Sequence, residues 1–184
     1  MCAQTVPYSH ISRSEPSTKS TSESPLEQAL RGLLKGRVAV VGVGSRSHGD
    51  DGAGPLVVDL LNEAGFRSAI DCGTAPELET WRIREMHPNT VVFVDAVDFG
   101  GKPGDVAVPD PNHLRGRGMD THRMPLKLTM QYLEAELGAK CLLLAIQPKS
   151  VAVGCEMCAE VRSAAVGLAS LLRQVLIGCD EKAG

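Results

Sequence analysis

Thr90-Val91-Val92-Phe93-Val94-Asp95-Ala96-Val97 is an apolar, β-branched run that closes on a carboxylate. A run so short and so evenly apolar predicts a strand buried on both faces, the habit of parallel sheets covered by helices. The same signature opens the first apolar block, Arg37-Val38-Ala39-Val40-Val41-Gly42-Val43-Gly44, and returns from Cys141 to Ile146. Phe66 to Asp71 reads as a further short strand, and Gly104 to Val108 as an edge strand. Between these runs apolar residues fall at helical spacing: Leu26 to Leu34, Gly54 to Ala64 with Pro55 in its first turn, Pro76 to Met86, Pro125 to Leu137, and Met157 to Leu176. The alternation predicts an α/β fold in three layers, a mostly parallel twisted sheet of about five strands with helices on both faces.

Composition bounds the function. The chain has 184 residues, 43% of them hydrophobic, enough for one domain with a core that needs no staples. A net charge of −3 argues against nucleic-acid partners and polybasic membrane binding. No apolar run approaches the roughly 18 to 20 residues that span a bilayer, so no membrane insertion is expected. The amino terminus lacks the apolar stretch of a secretory signal, which predicts a cytoplasmic chain with reduced cysteines. Cys155 and Cys158 form a CxxC without the second pair or nearby histidines of a structural zinc, and are given no role. Residues 1–25 carry seven Ser, three Thr and three Pro, a composition that predicts a disordered tail before a single domain over 26–184. Pro109 to Asp120 lacks periodicity and reads as a loop.

In open α/β sheets ligands bind beyond the carboxyl ends of the strands, so polar residues that follow strands are the candidates. The first strand runs into Ser45-Arg46-Ser47-His48-Gly49-Asp50-Asp51-Gly52-Ala53-Gly54. Its glycines resemble a dinucleotide loop, but adjacent carboxylates at a helix start repel a pyrophosphate. One of Asp50 and Asp51 is expected to cap the helix while the other projects outward. Asp71 is expected to order its turn by accepting backbone N–H bonds. Asp95 ends the strongest strand, where a carboxylate is costly unless paired or bound to a cation. Asp98 reads as a loop residue. His122, in Thr121-His122-Arg123-Met124-Pro125-Leu126, stands at the mouth of the next helix. Asp51, Asp95 and His122 thus fall on one predicted sheet edge, two oxygens and one imidazole that suit a borderline divalent cation with open positions. No Ser-His-Asp arrangement, GxSxG elbow or HExxH is present.

Taken in order, Gly42-Val43-Gly44, Gly49-Asp50-Asp51-Gly52-Ala53-Gly54-Pro55-Leu56, Asp71-Cys72-Gly73-Thr74-Ala75-Pro76-Glu77, Val94-Asp95-Ala96, Pro103-Gly104, Thr121-His122-Arg123-Met124-Pro125-Leu126 and Ala145-Ile146-Gln147-Pro148-Lys149 resemble the hydrogenase maturation endopeptidases. These remove a carboxy-terminal extension from the large subunit of NiFe hydrogenases after nickel insertion. The likeness spans about residues 37 to 177. Its His-x-Met-Pro-Leu and Ile-Gln-Pro blocks are most similar to the branch that serves hydrogenase 3 of formate hydrogenlyase and related group 4 enzymes. The resemblance implies a twisted α/β sheet flanked by helices, a large-subunit precursor as partner, and nickel contacted by Asp51, Asp95 and His122. The nickel would be borne by the substrate, with no organic cofactor and a monomeric protein expected.

The chain departs from the family pattern in places. Ser45 stands where Asn is common, and His48 where Arg is common. His48 is expected as an exposed loop residue rather than a fourth nitrogen at the metal. Glu156-Met157-Cys158-Ala159-Glu160 replaces the usual Leu-Ser-Pro-Glu start of the last helix. Two other readings stay open on the residues alone: a non-proteolytic chaperone of the large subunit, and a small-molecule metallohydrolase.

Overall fold

The computed structural model describes residues 23–109 and 123–180. Most of the proposed tail and nearly all of the Pro109–Asp120 loop lie outside them. In chain order the elements are α1 (Pro25–Leu33), β1 (Val38–Gly42), α2 (Ala53–Glu63), β2 (Ala69–Asp71), α3 (Thr80–Glu85), β3 (Thr90–Ala96), β4 (Val106–Ala107), α4 (Arg123–Leu137), β5 (Lys140–Ile146) and α5 (Ala159–Asp180). The sheet order is β2-β1-β3-β5-β4, with all pairs parallel except the short β4 edge, which runs antiparallel to β5. The predicted three-layer α/β architecture is the observed one.

Period-two alternation divides the core. Val92, Val94, Leu142 and Leu144 face α1, α2 and α5, whereas Val91, Phe93, Leu143 and Ala145 face α3 and α4. Leu126, Met130 and Leu133 of α4 recur at helical spacing on the second face. Among the described residues no helix is long and apolar enough to cross a membrane.

Four boundaries differ from the sequence reading, each for a local reason. Helix α1 starts at Pro25, because Ser24 caps it by accepting the Glu27 N–H at 3.1 Å; both residues therefore belong to the folded part. β2 begins at Ala69 rather than Phe66. The Phe66 N–H donates to Leu61 O and the Gly65 N–H to Asn62 O, closing α2 with glycine at φ 89°. The predicted helix from Pro76 splits into a 3-10 turn over Pro76–Glu79 and α3, with the Thr80 hydroxyl donating back to Glu77 O at 3.2 Å. Finally, α5 starts at Ala159: Cys158 stands just outside it, its O accepting the Arg162 N–H at 3.0 Å and its own N–H donating to Asp50 Oδ1 at 2.7 Å.

Candidate active site

Strands β1 and β5 flank β3, so the loops leaving their carboxyl ends stand on either side of the point where β3 ends. Asp95 lies there, opposite Ala145 of β5. The β1 loop rises close beside it: the Val43 N–H donates to Val94 O at 2.9 Å and the Gly44 N–H to Gly73 O at 2.8 Å. Helix α2 starts hard against the same strands. A Cβ on Gly54 would fall on the carbonyl oxygens of Val94 and Val43, so only glycine lets the helix begin here.

The result is a cavity of about 550 Å³, lined by Asp51 and Asp95 together with His48, Asp98, Gln147 and Lys149. Two of the three residues singled out in the sequence, 44 positions apart, thus open onto one space; the third, His122, lies outside the described residues. Among the described residues, no three His, Cys, Asp or Glu side chains are grouped so as to hold a metal ion. Asp51 is half-buried and accepts the Ser45 N–H on Oδ2 at 2.6 Å, which folds the glycine-rich loop around it.

Asp50 corrects the expectation of a helix cap. It is 1% exposed and caps nothing in α2. Its Oδ2 accepts the N–H groups of Lys149 and Ser150 at 2.7 and 3.0 Å, and its Oδ1 that of Cys158. Burial alone opposes ionisation, but the Ser150, Cys158 and Lys149 N–H groups outweigh it and hold the carboxyl below the usual range. Asp71 does order its turn, accepting the Gly73 N–H at 2.9 Å, and it also pairs with Arg46 at 2.7 Å. Arg46 grips Asp59 with both terminal nitrogens, at 2.5 and 3.0 Å, and so ties the loop to α2.

His48 is half-buried and lines the cavity, where an exposed loop residue was expected. Its Nδ1 lies 2.7 Å from Ser45 Oγ and 3.0 Å from Ser47 Oγ. Two of the departures from the family pattern, Ser45 and His48, therefore bond to each other. Asp98 and Gln147 were missed as cavity residues, although both follow strands at the edge where candidates were sought. Gln147, 6% exposed, holds them together: Oε1 accepts the N–H groups of Phe99 and Gly101, while Nε2 donates to Asp98 Oδ1 and Pro148 O.

The sequence model of the family described as hydrogenase maturation protease matches residues 56–174. The chain belongs to that family. It is therefore a peptidase, and the resemblance noted in its motifs is the correct one. The hydrogenase 3 maturation protease of Escherichia coli K12 is 39% identical over 112 residues, 59% of this chain and 71% of that protein. The crystal structure of a maturation protease, HycI, from Thermococcus kodakarensis KOD1 superposes with a TM-score of 0.73 at 33% identity, over 83% of this chain and 99% of that one. The solution structure of the endopeptidase HycI from Escherichia coli gives 0.66 at 33% identity, over 73% of this chain and 88% of that one. The protease thus has solved relatives for its fold and its activity class together.

Proposed function

We propose that the protease removes the carboxy-terminal extension of a NiFe hydrogenase large-subunit precursor, and does so only after nickel has been inserted. Peptidases of this family mature hydrogenases by processing the large subunit; the nickel requirement is the finer step. One observation carries it: Asp51 and Asp95, from separate strand ends, line a single cavity at the carboxyl edge of the sheet. Together with His122 they offer two oxygens and an imidazole to vacant positions of a nickel ion that the precursor already holds. Precursor without nickel presents nothing for these ligands to grip and is left uncut. Docking then sets the scissile bond beside the carboxylates, and proximity supplies much of the rate. The setting is the cytoplasm, in keeping with the four free cysteines among the described residues.

The test is to incubate nickel-loaded and nickel-free precursor with the protease and weigh the carboxy-terminal peptide. Release from the loaded form alone is expected. Equal release from both refutes the nickel requirement. Tight binding of the precursor without any shortened product favours a chaperone instead.

A further inference from the structure

The β1 loop and the segment 147–158 leave strands on either side of β3, and they meet above its end. The contact between them is concentrated on one side chain. Besides its three carboxylate bonds, Asp50 donates its own N–H to Ser150 O at 3.0 Å, and nearby the Gly154 N–H donates to Ser47 O at 2.8 Å. Gly49, at φ 57°, is packed so closely that a Cβ there would stand 2.9 Å from Ser150 O. Lys149, Ser150 and Val151 of the one segment line the cavity together with Ser45, His48 and Asp51 of the other.

We infer that Asp50 is a positioning residue for the proteolytic reaction: its buried carboxylate is the clasp that holds the 149–158 strap over the cavity, and thereby shapes the surface that receives the precursor. The inference rests on the proposed reading of this cavity as the place where the precursor is cut. Neighbouring carboxylates divide the work, Asp51 opening into the cavity and Asp50 turned towards the strap. A carboxylate is needed because both oxygens receive N–H donors. An amide in its place would set its own NH2 group against at least one of them. Loosening the strap disturbs the wall that binds while leaving Asp51 and Asp95 in place, so binding suffers more than chemistry.

The experiment compares Asp50→Asn and Asp50→Ala with Ile83→Val, a core change in α3 on the other side of the sheet that serves as a stability control. Kinetics are read with nickel-loaded precursor, and backbone hydrogen exchange is read at Lys149, Ser150 and Cys158. The expected result for Asp50→Asn is a KM raised about tenfold or more with kcat within about threefold of wild type. Exchange at the three amides should accelerate while that in β3 does not, and the control should show neither effect. Kinetics like those of the control despite freed amides would overturn the inference, as would a fall in kcat at unchanged KM. Should the alanine variant not fold, the near-isosteric asparagine variant carries the test. A wild-type protease that leaves loaded precursor intact refutes the proposed function instead, and exchange still tests the clasp.

Discussion

The Ser45 N–H donates to Asp51 Oδ2 at 2.6 Å, so the carboxylate that opens onto the cavity is also the one that folds the loop it stands on. The two duties are separable by chemistry. Folding the loop needs only an acceptor oxygen, whereas gripping a cation needs the negative charge.

Asp51→Asn retains an acceptor for Ser45 and removes the charge. Its processing of nickel-loaded precursor should fall by at least about a hundredfold, with unfolding free energy within about 1 kcal/mol of wild type. Asp51→Ala should lose both, because the loop amide is then left without its partner. Rates from precursor cleavage and stabilities from urea denaturation decide the matter. An asparagine variant with near-normal processing would refute a charge-dependent role.

Close backbone approach gives a second test. A Cβ on Gly42 would stand 2.5 Å from Gly54 O in α2, and one on Gly54 would meet the carbonyl oxygens of Val43, just past β1, and of Val94 in β3, so neither methyl fits without parting α2 from the strands. Gly54→Ala should therefore cost about 3 kcal/mol or more, or prevent folding. Gly32, exposed in α1 with nothing within 4 Å of an added methyl, is the contrast. Gly32→Ala should be neutral or stabilise by up to about 1 kcal/mol, since it restricts the unfolded chain. Melting curves of both variants check the pair, and equal effects would sink the packing argument.

Much of this was legible in the sequence because strand β3 and its neighbours are buried on both sides. Val91 to Val94 have no polar residue among them, so burial and sequence carry the same information. Asp95 was legible as a cavity residue for a related reason, since a carboxylate at the end of an apolar run must have a task, and Asp51 because it is one of two adjacent carboxylates in the glycine-rich loop that follows β1. Asp50 was not. Its partners are the backbone amides of Lys149, Ser150 and Cys158, about a hundred positions away, and a backbone N–H has no sequence signature. Gln147 was hidden likewise, because three of its four bonds go to main-chain groups. The start of β2 was misplaced at Phe66 because closing α2 took that residue's N–H, a competition between neighbours that composition does not reveal.

Thiol reactivity should follow burial. Burial above all pushes the Cys72 and Cys141 thiols up to about 12, with Glu79 and Glu134 respectively adding to it. At pH 8 such a thiol is thiolate in only about one molecule in ten thousand, and the thiolate is the reacting species. Cys155 is exposed. Iodoacetamide on the native protease, followed by peptide mass mapping, should label Cys155 well before Cys72 or Cys141, and label all three alike after denaturation. Equal labelling of Cys141 and Cys155 in the native state would contradict the burial of Cys141.

Gln147→Glu is nearly isosteric and reverses one half of a buried side chain. The oxygen that accepts from Phe99 and Gly101 is retained, but the donor facing Asp98 Oδ1 at 3.0 Å and Pro148 O at 3.1 Å becomes a second acceptor. At neutral pH two carboxylates then abut in a place that is 6% exposed for residue 147. The loss of stability should be about 2 to 4 kcal/mol at pH 7. Burial and the Asp98 charge both raise the new acid's pKa in the folded state above its unfolded value. The penalty is therefore small where the group is protonated in both states, and it grows as pH rises from the unfolded pKa towards the folded one. Urea unfolding of wild type and variant at about pH 5 and about pH 8 should show a gap that widens with pH. A gap that stays constant or narrows would mean that Gln147 does not hold Asp98 by the bond described.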